Sequence, residues 1–166
     1  MEIDMDEQEL EAQIGDILLA RGLTICTAES CTGGLIAHRL TNIAGSSAYV
    51  LGGIVAYSNP VKQNLLHVRE QTLMDHGAVS EETAREMASG ARDLLKTDVA
   101  ISVTGIAGPG GGTETKPVGL TYIGVATPDG AVTVERHVWD GNREANKDAS
   151  TEAALQLTLR RLAEMG

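Results

Sequence analysis

Phenylalanine is absent from this chain, and three tyrosines with one tryptophan bring the aromatic share to only 2%. A core of normal packing density must then be assembled from Leu, Ile, Val, Ala and Met. Positive charge is scarce as well: 13 basic residues face 23 acidic ones, a formal charge of −10, and no basic run occurs anywhere. Non-specific nucleic-acid binding depends on cations that displace counterions from phosphate, so charge argues against a nucleic-acid partner. Cysteine occurs twice, at Cys26 and Cys31, and the first residues are acidic rather than a basic stretch leading into an apolar one. Free thiols and a cytoplasmic location are the expectation. The four histidines (His38, His67, His76, His137) show no ligand spacing, so neither a metal nor a cofactor is expected. No apolar run approaches the roughly 20 residues that span a bilayer, which argues against a membrane partner.

What the chain does contain fits one domain over residues 1–166. With 42% apolar residues, a chain of this length buries about two thirds of its unfolded surface. Its 19 glycines gather in a few places, which favours specific tight loops over a flexible linker. Leu10, Ile14, Ile17 and Leu18 recur at helical spacing and predict a helix that ends near Gly22. A strand is predicted over 23–28, then a helix from about Thr32 that carries Leu35, Ile36 and Leu40 and stops before Gly45. Residues 49–57 read as a buried strand interrupted at Gly52-Gly53 by a bulge or a close backbone approach. Asn59 is a suitable N-cap and Pro60 suits the first helical position, which puts Lys62 in the first turn. Ser80 caps a helix whose apolar face is Ala84, Met87, Ala88, Ala91 and Leu95. A strand over 98–103 runs into a glycine loop at 105–117. Strands over 118–127 and 132–138 are joined by the turn Pro128-Asp129-Gly130 and so pair antiparallel. A last helix from about Asn142 turns Leu155, Leu159 and Leu162 inward. This order predicts an α/β fold: a three-layer α/β/α sandwich with a mixed sheet that includes one antiparallel hairpin.

Three places could carry chemistry. The run Thr27-Ala28-Glu29-Ser30-Cys31-Thr32-Gly33-Gly34 reads as a strand feeding a helix, with the Ser30 hydroxyl at the strand's carboxyl end. N–H groups near Thr32 and Gly33 would then be free for an oxyanion or phosphate, although such turns also occur as plain helix caps. A serine hydroxyl needs a base, and no histidine sits in an evident loop at a strand end. Lys62, facing the positive end of a helix, is the better candidate, its pKa falling further if it is buried; the alternative is a solvated surface lysine. The glycine loop, with Gly105, Gly108 and Gly110 after Thr104, matches neither a P-loop nor a dinucleotide fingerprint, but its backbone can approach a ligand. Arg143, between the last strand and the last helix, could hold a phosphate or carboxylate, or simply pair with Asp140 or Glu144. Tyr57 stands at the end of its strand beside the Lys62 turn.

Several separated motifs appear in fixed order: Thr-Ala-Glu-Ser-Cys-Thr-Gly-Gly, then Gly-Gly-Ile-Val-Ala-Tyr-Ser-Asn-Pro-Val-Lys, Gly-Ala-Val-Ser, Thr-Gly-Ile-Ala-Gly-Pro-Gly-Gly-Gly with Lys-Pro-Val-Gly, and Gly-Asn-Arg. Together they resemble the CinA C-terminal domain family from about residue 8 onward. That family includes nicotinamide mononucleotide deamidases, which hydrolyse a carboxamide to a carboxylate and release ammonia. The resemblance implies a small-molecule nucleotide substrate, Ser30 as nucleophile and Lys62 as base. Tyr57, Thr104 and Arg143 match the family's supporting positions. A homo-oligomer is expected. Many members carry a further N-terminal nucleotide-hydrolase domain, an activity these residues do not imply. Where the family pattern has a second arginine, near position 147, this chain has Lys147. Two other readings stand beside the enzymatic one: a catalytically silent nucleotide-sensing module linked to competence or DNA damage, and a Cys31 nucleophile.

Overall fold

The computed structural model describes residues 8–165. Its elements are α1 (Leu10–Arg21), β1 (Ile25–Glu29), α2 (Leu35–Thr41), a short 3-10 turn (Ser46–Ala48), β2 (Val50–Val55), α3 (Asn59–Leu66), α4 (Glu70–His76), α5 (Glu81–Leu95), β3 (Val99–Gly105), β4 (Leu120–Ala126), β5 (Val132–Val138) and α6 (Arg143–Glu164). The strands form one mixed sheet in the order β2-β1-β3-β4-β5. β1 pairs parallel with β2 and β3, while β3–β4 and β4–β5 are antiparallel.

Helices cover both faces. On one, Ile14 and Leu18 of α1, Ile36 and Leu40 of α2, and Leu155 and Leu162 of α6 pack with Ile25, Ile101 and Ile123 of the sheet, Leu159 at its margin. On the other, Leu66 of α3 and Met87, Ala88 and Ala91 of α5 pack on Cys26, Ala28, Ala100 and Ala126. Aliphatic residues and alanines do the work that phenylalanine performs in most cores. The small side chains let α5 lie close to the sheet.

The α/β/α layering and the β4–β5 hairpin agree with the sequence reading, and several local features differ. Besides that hairpin the sheet has a second antiparallel junction, because the loop 106–119 brings β4 back beside β3. α2 starts at Leu35, three residues later than expected, because Gly33 and Gly34 both take positive φ (62° and 105°) and cannot continue a right-handed helix. Residues 50–55 are an edge strand with Leu51 and Val55 exposed, not a buried one, and the pairing irregularity falls at Ile25/Cys26, where Leu51 is skipped. Gly53 is the close approach: a β-carbon there would lie 2.5 Å from Thr27 Oγ1. The cap of α3 is Ser58, whose side chain accepts from the Val61 N–H, with Asn59 already inside the helix. The sequence reading had no helix at 70–76, where only Thr72 is fully buried and no apolar stripe marks the face.

Candidate active site

The parallel strands β1, β2 and β3 all end on one side of the sheet, and their carboxyl ends supply the site. In open α/β sheets this is where ligands bind. β1 delivers Ser30, β2 leads into Ala56 and Tyr57, and β3 ends in Thr104 and Gly105. α3 then returns Lys62 to the same point: its Nζ donates to Ser30 Oγ at 3.1 Å, to the Ala56 carbonyl at 2.8 Å and to the Tyr57 carbonyl at 3.3 Å. Lys62 is only 2% exposed and forms no salt bridge among the described residues. Burial holds its pKa below the usual lysine value, opposed by the nearby Cys31 sulfur. Burial is thus the cause of the lowered pKa, and it excludes the solvated-lysine alternative.

A cavity of about 280 Å³ opens beside this pair. Ser30, Tyr57, Lys62, Thr104, Gly105, Gly108, Gly110 and Arg143 all line it, joined by Ala78 and Val79 from the α4–α5 connection. Those two belong to the Gly-Ala-Val-Ser motif, to which the sequence reading assigns no role in the site. Thr104 is buried, its hydroxyl donating to the Ala78 carbonyl at 2.7 Å. Arg143 pairs with neither Asp140 nor Glu144. Its guanidinium donates to the Gly108 carbonyl at 2.9 Å and to Tyr57 Oη at 3.1 Å, closing one wall of the cavity. Asn146, given no role by the sequence reading, is buried behind it. The Asn146 amide donates to the Ala107 carbonyl, and its oxygen accepts from the Gly141 N–H. The far end of the glycine loop is tied down by Lys116, whose ammonium reaches the His76 carbonyl.

Two expected positions lie elsewhere. Thr32 and Gly33 line a neighbouring cavity of about 630 Å³ with His38, Lys147 and Asp148, and Arg143 is shared between the two cavities. The Gly33 N–H is already spent on the Ser30 carbonyl at 3.1 Å, so it is not a free oxyanion donor. Gly105 has a packing reason besides any ligand. A β-carbon there would lie 2.8 Å from both the Leu120 carbonyl and Thr121 Oγ1, and 3.1 Å from Cys31 Sγ. Gly105→Ala is accordingly expected to destabilise the fold by about 1–3 kcal/mol, read as a lower denaturant midpoint.

Cys31 is buried beside the cavity, and burial, reinforced by the Glu29 charge, pushes its thiol up to about 11. A protonated thiol is a poor nucleophile at neutral pH. His137 stacks on Trp139, His76 lies near Glu82, and none of the recorded histidine contacts reaches Ser30, so a Ser–His arrangement is not built here. Among the described residues, no group of three or more His, Cys, Asp or Glu side chains has metal-holding geometry. No helix among them is long and apolar enough to cross a membrane.

Fold and site thus define an α/β/α domain that carries a buried serine–lysine pair where its parallel strands end. The chain belongs to the CinA C-terminal domain family, whose model matches residues 7–162. It is 56% identical to a CinA-like protein of Chloroherpeton thalassium over 154 residues, 91% of this chain but 37% of the relative. It is 48% identical to the nicotinamide-nucleotide amidohydrolase PncC of Escherichia coli, covering 92% of this chain and 93% of that protein. The crystal structure of a competence/damage inducible protein, CihA, from Agrobacterium tumefaciens superposes with a TM-score of 0.90 at 43% identity, over 98% of this chain and 99% of that one. The chain spans little more than a third of the length of several of its CinA-like relatives.

Proposed function

We propose that this protein hydrolyses the carboxamide of nicotinamide mononucleotide to nicotinic acid mononucleotide and ammonia, through an acyl-enzyme on Ser30. The observation that carries this reading is the Lys62–Ser30 pair. A neutral amine has two N–H groups and one lone pair. The carbonyls of Ala56 and Tyr57 take the two N–H groups, which leaves the lone pair for the Ser30 hydroxyl proton. A silent sensing module would have no use for a buried lysine without a counter-charge, which is costly to keep. The alignment with the amidohydrolase of Escherichia coli over nearly its full length supports the substrate class.

In this reaction Lys62 takes the Ser30 proton as Oγ attacks the carboxamide carbon. The C–N bond then breaks, and the Lys62 ammonium hydrogen passes to the departing nitrogen, releasing ammonia. Water attacks the acyl-enzyme with Lys62 again as base, freeing the carboxylate and restoring Ser30. Arg143 and the glycine loop are the candidates for holding the nucleotide phosphate.

The deciding experiment is ammonia release from nicotinamide mononucleotide by the purified protein, with turnover expected and its absence refuting the reading. Cys31→Ala is expected to retain kcat/KM within about tenfold of the parent, since the thiol supplies no proton transfer. A larger loss in the same assay would reinstate the thiol as nucleophile.

A further inference from the structure

Glu29 is buried at the carboxyl end of β1, directly before Ser30, and the reaction above gives it no task. Its Oε1 accepts from Thr32 Oγ1 at 2.7 Å and from the Ile36 N–H at 2.8 Å, and its Oε2 accepts from the Ala37 N–H at 3.0 Å. Among the described residues no lysine or arginine forms a salt bridge with it. α2 begins after Gly34, which has no side chain to cap the helix. Glu29 therefore reaches across from the sheet to satisfy N–H groups that would otherwise be orphaned, and in doing so closes residues 29–37 into a fixed loop.

This loop determines which N–H groups beside Ser30 remain available. The Ser30 N–H is spent on the Val103 carbonyl at 2.9 Å and the Gly33 N–H on the Ser30 carbonyl at 3.1 Å. Those of Ile36 and Ala37 are spent on Glu29 itself. The two central residues of the turn, Cys31 and Thr32, have N–H groups with no backbone acceptor among the described residues. In hydrolases whose nucleophile sits on a strand-to-helix turn, the N–H following the nucleophile is an oxyanion donor.

We propose that Glu29 is a positioning residue for the reaction at Ser30: its carboxylate pins Thr32 and the first turn of α2 so that the Cys31 and Thr32 N–H groups receive the oxyanion. The inference rests on Ser30 being the nucleophile. Glu29→Gln preserves size, but its NH₂ must face an N–H or hydroxyl hydrogen that the carboxylate accepted, so the turn loses at least one contact. Thr32→Val removes the tether from the other side, and Thr32→Ser restores it.

The test measures kcat and KM for nicotinamide mononucleotide, together with the rate at which a fluorophosphonate labels Ser30. In labelling, an Oγ–P bond forms, the P–F bond breaks, fluoride leaves, and the serine proton passes to Lys62. The phosphoryl oxygen then occupies the oxyanion position. Glu29→Gln and Thr32→Val are expected to lower both kcat and the labelling rate at least tenfold, with KM within about threefold and thermal midpoints showing a folded protein. Thr32→Ser is expected to recover most of what Thr32→Val loses. Unchanged kcat and labelling in the folded variants, or losses no larger than the unfolded fraction, would overturn the proposal. If Glu29→Gln does not fold, the Thr32 pair decides. Wild-type protein that is labelled at Ser30 yet inert on the nucleotide would refute the substrate reading while labelling still judges Glu29. Protein that is neither labelled nor active would remove both.

Discussion

Ser30→Ala is expected to abolish ammonia release from nicotinamide mononucleotide, a loss on the order of 10⁴–10⁶-fold in kcat if the hydroxyl is the nucleophile. The fold should survive, for a local reason. The Ser30 side chain meets one recorded partner, Lys62 Nζ, while its backbone contacts to Val103 and Gly33 are independent of the hydroxyl. Removing one oxygen from a cavity wall leaves the turn, and Glu29's grip on α2, in place. A thermal midpoint close to that of the parent, alongside lost turnover, is the expected pair of results. Comparable rates for the two proteins would rule out the acyl-enzyme.

Lys62→Arg is expected to be nearly as damaging as Lys62→Ala, a loss of about 100-fold or more in kcat/KM. Arginine keeps the charge but does not give up its proton, and a general base contributes at least about two orders of magnitude. For the wild type, kcat/KM should rise with pH along an acidic limb whose midpoint lies below the ~10.4 of a free lysine, because burial favours the neutral amine and only that form accepts the Ser30 proton. Stability follows the same linkage. The folded state gives up the Lys62 proton at lower pH than the unfolded chain does, so between the two pKa values the unfolded chain binds more protons and stability rises with pH. Relative to Lys62→Met, wild-type stability should therefore increase as pH climbs from the lowered folded value toward ~10.4, and level off above it. Retention of more than a tenth of the rate in Lys62→Arg would show that Lys62 is not the base.

Much of the site was legible because its parts are local motifs. Ser30 sits on a short strand closed by two glycines, Lys62 follows an Asn-Pro helix start, and five glycines follow a strand at 105–112. Each pattern reports on a few neighbouring residues, and each element appeared near its expected place. The readings that shifted depend on contacts between distant segments. Gly33 looked like a free donor, but its N–H turns back onto the Ser30 carbonyl, and the capping partner of α2 precedes the helix by several residues, a task no spacing rule assigns to a buried glutamate. Asn146 supports the glycine loop through its bond to the Ala107 carbonyl, and Ala78 meets Thr104, contacts that join segments far apart in the chain. Gly105 lines the cavity, and the crowding of a side chain there by the Leu120 carbonyl and Thr121 Oγ1 comes from β4, which no local pattern reports.

By itself the sequence determined the alternation of strands and helices, the aliphatic composition of the core, the strand-end placement of Ser30 and the helical placement of Lys62. These follow from periodicity, caps and turn chemistry, which act over a few residues. Only the tertiary structure decided that two side chains 32 positions apart meet at 3.1 Å, that the lysine is buried without a counter-charge, and that Arg143 turns to Tyr57 and Gly108 rather than to its acidic neighbours. The reason is physical. Proton affinity and hydrogen-bond choice depend on desolvation and on which carbonyls happen to be near, and both arise only when the sheet gathers the carboxyl ends of β1, β2 and β3 and the helices close over them.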